Sequence, residues 1–395
     1  MAAQKKLPFN PDMLRWARER AGITVAEAAS RAGVKEDAVE AWEKENADRV
    51  PTVRQARLLA DFYDRQFLEF FRGTPPPLPE PELIPDFRLS RDINPDDYRQ
   101  RITDFQIWAE AQRISALDLY SELSEEPPNV PEKVFTTIES DAEAHAAAMR
   151  NLAGPPLQIQ TELSPKDQYK FPSILRQHIE PLGIITIRRS SLGSMGIRGI
   201  CLAEFPLPVI VVGNESPAAQ AFTICHELAH VCLRQSAISG KLTKEGGDTK
   251  ARQIEEWCDA FAGAFLMPAS VMYQIQPVPI RPAVRISDEE LSQIASRFGV
   301  SPHAMLVRLV QLKYVDRSYY WDVKRPEFSA AEAKLKQIMR SKYYGSRYSA
   351  SLGGLYTSLV LEAWSSGRIT NHQAAEFMGI KNLEHLHAIR DNQEM

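Results

Sequence analysis

The chain has 395 residues, of which 44% are hydrophobic and 25% are charged, and its net charge is −4. This composition is ordinary for a soluble protein of two or three domains, and it argues against a nucleic-acid binder held by bulk positive charge. No apolar run approaches the about 20 residues that cross a bilayer, and the N-terminal residues lack the apolar core of a signal peptide. We therefore expect a cytoplasmic protein without a membrane partner.

The first part of the chain, residues 9–71, predicts a bundle of short helices. Thr24 and Glu27 form a capping box at the start of one helix, and Gly33 makes a tight turn into the next helix, residues 35–43. Two helices joined in this way are the arrangement of a helix-turn-helix. Further helices are predicted over residues 12–21, 53–63 and 66–71.

The charge of this helix-turn-helix domain does not decide whether its partner is DNA or another protein domain. Residues 1–72 contain 13 basic and 12 acidic residues, whereas DNA readers usually have a surplus of cations that face phosphates. If the domain binds DNA, the contact runs through residues 24–45, with Lys35, Lys44 and Arg49 as candidate DNA-binding residues. The alternative is a docking or dimerisation module that recognises a similar domain, either on a repressor or in a homodimer.

Composition divides the rest of the chain into further segments. Residues 73–87 are rich in proline and predict a semi-rigid extended linker. Residues 88–160 predict a helical connector, and residues 161–280 predict a mixed domain of helices and a small sheet. The predicted helices cover residues 102–123, 142–152 and 171–179, and the predicted strands cover residues 183–188, 199–203 and 208–213.

One helix of this mixed domain carries the pattern of a metal site. His226 and His230 are four residues apart, so both imidazoles project from one face of a helix and can bind one ion. Glu227 follows the first histidine, where its carboxylate can reach a water molecule on the metal and act as general base. The neighbouring residues are apolar, and polar groups in such a helix are costly unless they bind a ligand or a partner.

A third ligand is predicted on the next helix, about 25 residues further along the chain. Glu255 and Asp259 are again four residues apart, so Glu255 can bind the metal while Asp259 orients a ligand histidine. Glu256 is the competitor of Glu255, because the spacing leaves the register open by one residue. Zn²⁺ is the favoured metal, although Mn²⁺ or Fe²⁺ fit the same residues with lower affinity. Besides the metal, peptide hydrolysis needs a second group that stabilises the oxyanion of the tetrahedral intermediate. His303, His178 and Tyr273 are the candidates for this second electrophile, and the sequence does not choose among them.

The last part of the chain, residues 281–395, predicts a helical region that reuses one motif. Residues 29–34, 295–300 and 375–380 align without gaps, and each lies between two amphipathic helical stretches. We therefore predict that the chain uses a helix-turn-helix packing unit three times. Four cysteines lie in the predicted metal domain, and we expect them to be small buried residues rather than ligands or disulfides.

Several short segments of the sequence together resemble known protein families. Residues 1–72 resemble an Xre/Cro-type helix-turn-helix domain. From the linker onward the chain resembles the ImmA/IrrE family of zinc metallopeptidases, many of which carry such an N-terminal domain. The matching strings extend over almost the whole chain, at residues 84–88, 208–214, 222–230, 255–262, 265–268, 291–305, 367–370 and 374–380.

The resemblance has consequences for fold, site and substrate. It implies an α+β, predominantly helical protein with an N-terminal helix-turn-helix bundle, a central zincin-like metallopeptidase domain with a small sheet, and a helical C-terminal region with helix-turn-helix-like units. It implies His226, His230 and Glu255 as metal ligands and Glu227 as catalytic acid and base, with Asp259 at a position that often holds Asn or Asp. Members of the family cut Xre-type repressors in response to DNA damage or mobile-element signals, which implies such a repressor as substrate.

Two other functions remain as alternatives. The first is a DNA-binding transcription regulator whose metal domain is structural or acts as a sensor. The second is a component of a toxin–antitoxin or defence locus, in which the C-terminal region senses a ligand. Glu227 favours the enzyme over the first alternative, because a purely structural metal site needs no base beside the metal.

Overall fold

The computed structural model describes residues 9–21, 23–44, 49–63, 65, 67–71, 73–74, 95–164, 166–189, 192, 197–240, 249–275, 285–332, 351–380 and 383–393. Its internal contacts divide the chain into two compact units. The first unit comprises Met1–Leu83 and Asp92–Trp108, and the second comprises Ile84–Arg91 and Ala109–Met395. Most of the predicted proline-rich linker, residues 75–87, lies outside the described residues.

The first unit contains the predicted bundle of short helices. Thr24 and Glu27 form the predicted capping box at the start of the second helix, and Gly33 ends that helix with a φ of 67°. Small residues on this helix, among them Ala28 and Ala29, are buried and let the following helix approach closely. The helices are α1 (Pro11–Arg20), α2 (Val25–Ala32), α3 (Glu36–Trp42) and α4 (Val53–Phe62), and a 3₁₀ helix follows at Phe67–Phe71.

An ion pair fixes the end of α3 to α1. The Arg18 guanidinium donates two hydrogen bonds to the Glu43 carboxylate, at 2.7 and 2.8 Å. Both side chains are largely buried, with 12% and 8% of their surface exposed. A bidentate pair of this kind is among the stronger interactions that a small helical unit can form.

The second unit is built around a sheet of four strands within the described residues. The strands are β1 (Ile185–Arg188), β2 (Ile197–Leu202), β3 (Val209–Val212) and β4 (Ala237–Gly240). Their order is β1-β3-β2-β4; β1 and β3 are parallel, and the other two pairs are antiparallel. The first three strands confirm the prediction, whereas β4 was not predicted.

The pairing of β2 with β4 contains an irregularity. Ile197 pairs with Gly240 and Gly199 pairs with Ser239, so that β2 has one more residue than β4 at this point. The extra residue is Arg198. Such a bulge bends the strand locally and often lies next to a functional site.

Helices make up most of the remaining chain. The helix over 171–179 has the predicted bounds. The α-helices that follow α4 are α5 (Pro95–Leu123), α6 (Ala142–Ala153), α7 (Leu157–Thr161), α8 (Phe171–Ile179), α9 (Pro217–Cys232), α10 (Thr249–Leu266), α11 (Ala269–Ile275), α12 (Asp288–Phe298), α13 (Pro302–Gln311), α14 (Arg325–Glu332), α15 (Gly354–Ser365), α16 (Asn371–Phe377) and α17 (Glu384–Gln393). Of these, α9 packs against β2, β3 and α10, and α10 packs against α6. No helix among the described residues is both long and apolar enough to span a bilayer. The hydrophobic core around α9 extends from Val130 to Tyr319, and it therefore includes residues on either side of 161–280.

The predicted repeat is present as three similar turns. Gly33, Gly299 and Gly379 all have a left-handed φ, between 62° and 67°. In each copy the next residue donates its backbone N–H to the carbonyl five residues before it, at 3.0, 3.2 and 2.7 Å. This is the hydrogen bond that closes a helix at a left-handed glycine. The shared sequence therefore encodes a shared helix ending.

Candidate metal centre

Helix α9 carries its polar residues inside the core. It begins at Ser216, whose hydroxyl accepts a hydrogen bond from the Ala219 backbone N–H, and Pro217 occupies its first turn, where no N–H is needed. From Gln220 to Cys232 every residue except Phe222 is buried. A helix that is buried nearly all round holds polar side chains only where they have partners.

The two histidines of α9 point toward one carboxylate. The His226 and His230 rings lie 5.1 Å apart, measured between centroids. The Nε2 atom of His226 is 3.4 Å from Glu255 Oε2, and that of His230 is 3.2 Å from Glu255 Oε1. All three residues are buried, with at most 4% of their surface exposed.

Helix α10 decides which of the neighbouring acids enters the cluster. Glu255 faces the histidines, and Asp259, one turn later, accepts a hydrogen bond from His226 Nδ1 at 2.9 Å. Glu256 lies on the exposed side of the same helix and pairs with Arg252 at 3.0 Å. The geometry therefore favours Glu255 over Glu256 as the acid that faces the histidines.

The cluster fits a tetrahedral metal ion. The three ligand atoms of His226, His230 and Glu255 lie within 4.8 Å of one another. In a tetrahedral zinc site with bonds of about 2.0–2.2 Å, two ligand atoms lie about 3.3 Å apart. The distances of 3.2 and 3.4 Å, each from one histidine to a different oxygen of the Glu255 carboxylate, are close to that spacing.

The charges in the cluster also favour a cation. Two carboxylates, those of Glu255 and Asp259, lie within 3.4 Å of the imidazole nitrogens, and negative charge in a buried site needs positive charge beside it. Burial lowers the pKa of His226, but hydrogen bonds to Asp259 and Glu255 and the charges of these acids outweigh it and raise this pKa to about 10. A divalent ion bound by the same atoms would supply positive charge in place of a proton.

Glu227 lies beside the ligand cluster and is fully buried. Its carboxylate is in contact with β2 at Gly199, close to the bulge in that strand. The side chain leaves α9 in a different direction from the two histidines, as expected for the residue next to a ligand on a helix. Glu227 is therefore near the cluster without being part of the ligand triad.

Two neighbours of the cluster were not assigned from the sequence. Gly199 lies against Glu227, and the Cys258 thiol lies 3.7 Å from His230 Nδ1. Burial and the nearby charges of Glu255, Asp259 and Glu227 raise the pKa of Cys258 well above its usual value, so the group stays a neutral thiol. Neither of these two contacts can be predicted from the sequence, because both depend on how β2 and α10 pack on α9.

The candidate DNA-binding residues lie in the first unit. Lys35 precedes α3 and is exposed, and Arg49 is exposed between α3 and α4. Lys44 follows α3 and lies 4.0 Å from the carboxylate of Glu40. The exposed charged residues of α3 itself are the acids Glu36, Asp37 and Glu40, and the basic residues Lys35 and Lys44 flank the helix.

The three candidates for a second electrophile each have another partner. The His303 ring bonds to the Tyr320 hydroxyl at 3.0 Å, and the His178 ring bonds to the Ile174 carbonyl at 2.9 Å. The Tyr273 ring packs beside Tyr314. These contacts do not single out one of the three for catalysis.

Comparison with known families gives two matches. Residues 183–310 match the family model described as the IrrE N-terminal-like domain of peptidase family M78. Residues 12–66 match a model described as a helix-turn-helix domain. A comparison with curated proteins gives no match. The first match contains His226, His230 and Glu255, and the second contains α2 to α4 and all of α1 except Pro11.

Proposed function

We propose that the chain is a zinc-dependent endopeptidase that regulates transcription, because residues 183–310 match an IrrE N-terminal-like peptidase model and residues 12–66 match a helix-turn-helix model. Its proposed substrate is a repressor of the Xre type, cut in response to stress or mobile-element signals. The observation that carries the proposal is the buried triad of His226, His230 and Glu255 at the spacing of a tetrahedral ion, with Glu227 beside it.

Each residue of the site has its own proposed role in peptide hydrolysis. His226, His230 and Glu255 would hold the ion, and Asp259 accepts a hydrogen bond from His226 Nδ1 that fixes this ring. Zinc, when bound, would lower the pKa of a water molecule and polarise the scissile carbonyl. The Glu227 carboxylate would serve as general base and then as general acid, taking a proton from water and giving it to the leaving amine.

The sheet offers a place for an extended protein substrate. Strand β4 stands at the edge of the sheet formed by the described strands, and it pairs with β2, whose Gly199 contacts Glu227. An extended peptide can add to such an edge through main-chain hydrogen bonds. This arrangement supports a protein substrate, which would lie along β4 and present a peptide bond to the site.

The decisive experiment compares newly formed protein N-termini in native cells. Cells carry the wild type, Glu227→Gln or the control Glu256→Gln, with and without DNA-damaging stress. We expect a terminus that appears with the wild type and with Glu256→Gln but not with Glu227→Gln. That terminus would identify both the substrate and the bond. Equal sets of termini in all three strains would contradict the peptidase proposal and favour the regulator or sensor alternatives.

Zinc itself is tested by metal analysis of purified protein. We expect about one zinc per chain in the wild type and in Glu256→Gln, and a strong loss in Glu255→Gln. The two variants make the same chemical change on neighbouring residues of α10, so they separate metal binding from a general effect of lost charge. Equal zinc in both variants would contradict the ligand role of Glu255.

For the helix-turn-helix domain we propose DNA contact through residues 24–45, with Lys35, Lys44 and Arg49 at phosphates. Each lost phosphate contact should weaken binding and reduce the salt dependence by about one unit of slope. The test is a gel-shift titration of the full chain on DNA from its own upstream region, at several salt concentrations. Unchanged behaviour of Lys35→Ala and Arg49→Ala would favour docking onto a protein or a homodimer.

A further inference from the structure

We propose that Gly199 is a positioning residue for the general base: the absence of a side chain at this position leaves the space that the Glu227 carboxylate occupies. The inference deepens the proposed function, since it rests on the role proposed for Glu227. Gly199 is buried in β2, directly after the extra residue of the bulge.

The available space shows why a side chain at position 199 interferes with Glu227. A Cβ atom at Gly199 would overlap Oε1 of Glu227, and it would lie 2.8 Å from the carboxyl carbon of that residue. It would also lie 2.7 Å from the Thr223 methyl group. Non-bonded carbon atoms prefer about 3.5–4.0 Å. Even a single methyl group therefore competes with the carboxylate for the same space.

Backbone conformation does not account for glycine at this position. The glycines with a left-handed φ among the described residues are Gly33, Gly183, Gly299, Gly353, Gly367 and Gly379. Gly199 is not one of them, so alanine can adopt its backbone conformation. The reason for glycine at 199 is therefore the contact with Glu227 and Thr223.

The same contacts indicate which side chain would move. The Thr223 hydroxyl donates to Glu215 at 3.3 Å, and Glu215 pairs with Arg198 at 3.4 Å, so the rotation of Thr223 is restrained. The Glu227 carboxylate is the end of a flexible side chain. Alanine at 199 should therefore displace the Glu227 carboxylate and leave α9 and β2 in place.

The test is a double-mutant cycle on the full chain with zinc bound. Unfolding midpoints in urea are measured for the wild type, Gly199→Ala, Glu227→Ala and the double variant. We expect Gly199→Ala to lower the midpoint when Glu227 is present and to have a clearly smaller effect when Glu227 is alanine. The matched control is Gly263→Ala on α10, whose added methyl group would lie 3.4 Å from Gln311 Oε1, an ordinary contact. This control should have the same effect in both backgrounds.

Each outcome of the cycle decides the proposal. A Gly199→Ala effect that is equal in both backgrounds would overturn it, because position 199 would then matter to the sheet alone. If Gly199→Ala does not fold, recovery of folding in the double variant supports the proposal, and failure of both variants overturns it. The cycle needs no substrate, so it stands even if the chain proves not to be a peptidase.

Two further measurements connect the cycle to catalysis. Zinc affinity, titrated with Zn²⁺ itself, should stay within about threefold of the wild type in Gly199→Ala, because His226, His230 and Glu255 are not displaced. Where the wild type cleaves its substrate, kcat should fall on the order of 10²-fold with KM little changed, since a misplaced base affects proton transfer rather than binding. Full turnover in Gly199→Ala would overturn the positioning role.

Discussion

Helix α3 of the first compact unit and helix α9 of the second place their charged side chains in opposite environments. On α3 of the first unit, Glu36 and Glu40 are exposed to solvent, and Glu40 lies 4.0 Å from Lys44, which is also exposed. On α9 of the second unit, His226, Glu227 and His230 are all but completely buried. The comparison teaches that a buried polar group carries more information, because its partners must lie in the fold or in a bound ion. An exposed charge is compatible with several partners.

The largest effect is expected at the buried base. Glu227→Gln keeps the shape of the side chain but removes its ability to accept a proton. We expect kcat to fall on the order of 10²–10⁴-fold, with zinc content unchanged. Single-turnover cleavage of the substrate measures this loss, and Glu256→Gln on exposed α10 surface is the control. Normal turnover in Glu227→Gln would show that the buried carboxylate is no more important for cleavage than the exposed carboxylate of Glu256.

The described residues of the first unit include a buried charge pair, Arg18 and Glu43, which tests whether burial has the same effect there. Glu43→Ala leaves the largely buried Arg18 guanidinium without its bidentate partner, and we expect a loss of about 3 kcal/mol in unfolding free energy. Glu40→Ala removes an exposed acid from α3 and should change stability by about 0.5 kcal/mol or less. Hydrogen exchange of peptides from α1 and α3 measures both. Equal effects of the two variants would show that burial does not control these energies.

The third effect concerns the residue that orients a ligand histidine. Asp259→Ala removes the acceptor of the His226 Nδ1 hydrogen bond, and we expect zinc affinity to fall about 10- to 100-fold. Competition with a chelator at neutral pH gives the affinity. Glu256→Ala, three residues earlier on the same helix, should bind zinc as the wild type does. A loss of the same size in both variants would point to the net charge of α10 instead.

The smallest effect is a pH dependence on the exposed surface of the first unit. Hydrogen bonds from the backbone N–H and the hydroxyl of Thr24 lower the pKa of Glu27 below its usual value of 4.5. Because the folded pKa is lower than the unfolded one, Glu27 stabilises α2 above pH 4.5, and this contribution is lost as the pH falls through the folded pKa. Amide exchange in α2 should thus differ between the wild type and Glu27→Ala at neutral pH, and the difference should narrow in acid. A constant difference would contradict the assigned cause.

Local signals were sufficient for much of the fold. The capping box of Thr24 and Glu27 and the bounds of the helix over 171–179 were predicted and are confirmed. Strand β4 was missed, because its four residues form a strand only through pairing with β2, which is distant in sequence. The domain boundaries between 73 and 280 and the roles of the site residues stay predictions.

The sequence by itself determined features that depend on residues within one or two turns of each other. These are the three glycine turns at 33, 299 and 379 and the common face of His226 and His230, because helix geometry and left-handed glycines act over at most six residues. Tertiary structure decided that Glu255 rather than Glu256 faces the histidines and that Gly199 lies against Glu227. Both outcomes depend on how α10 and β2 pack on α9, and packing between distant segments is set by burial of the whole core rather than by local hydrogen bonds.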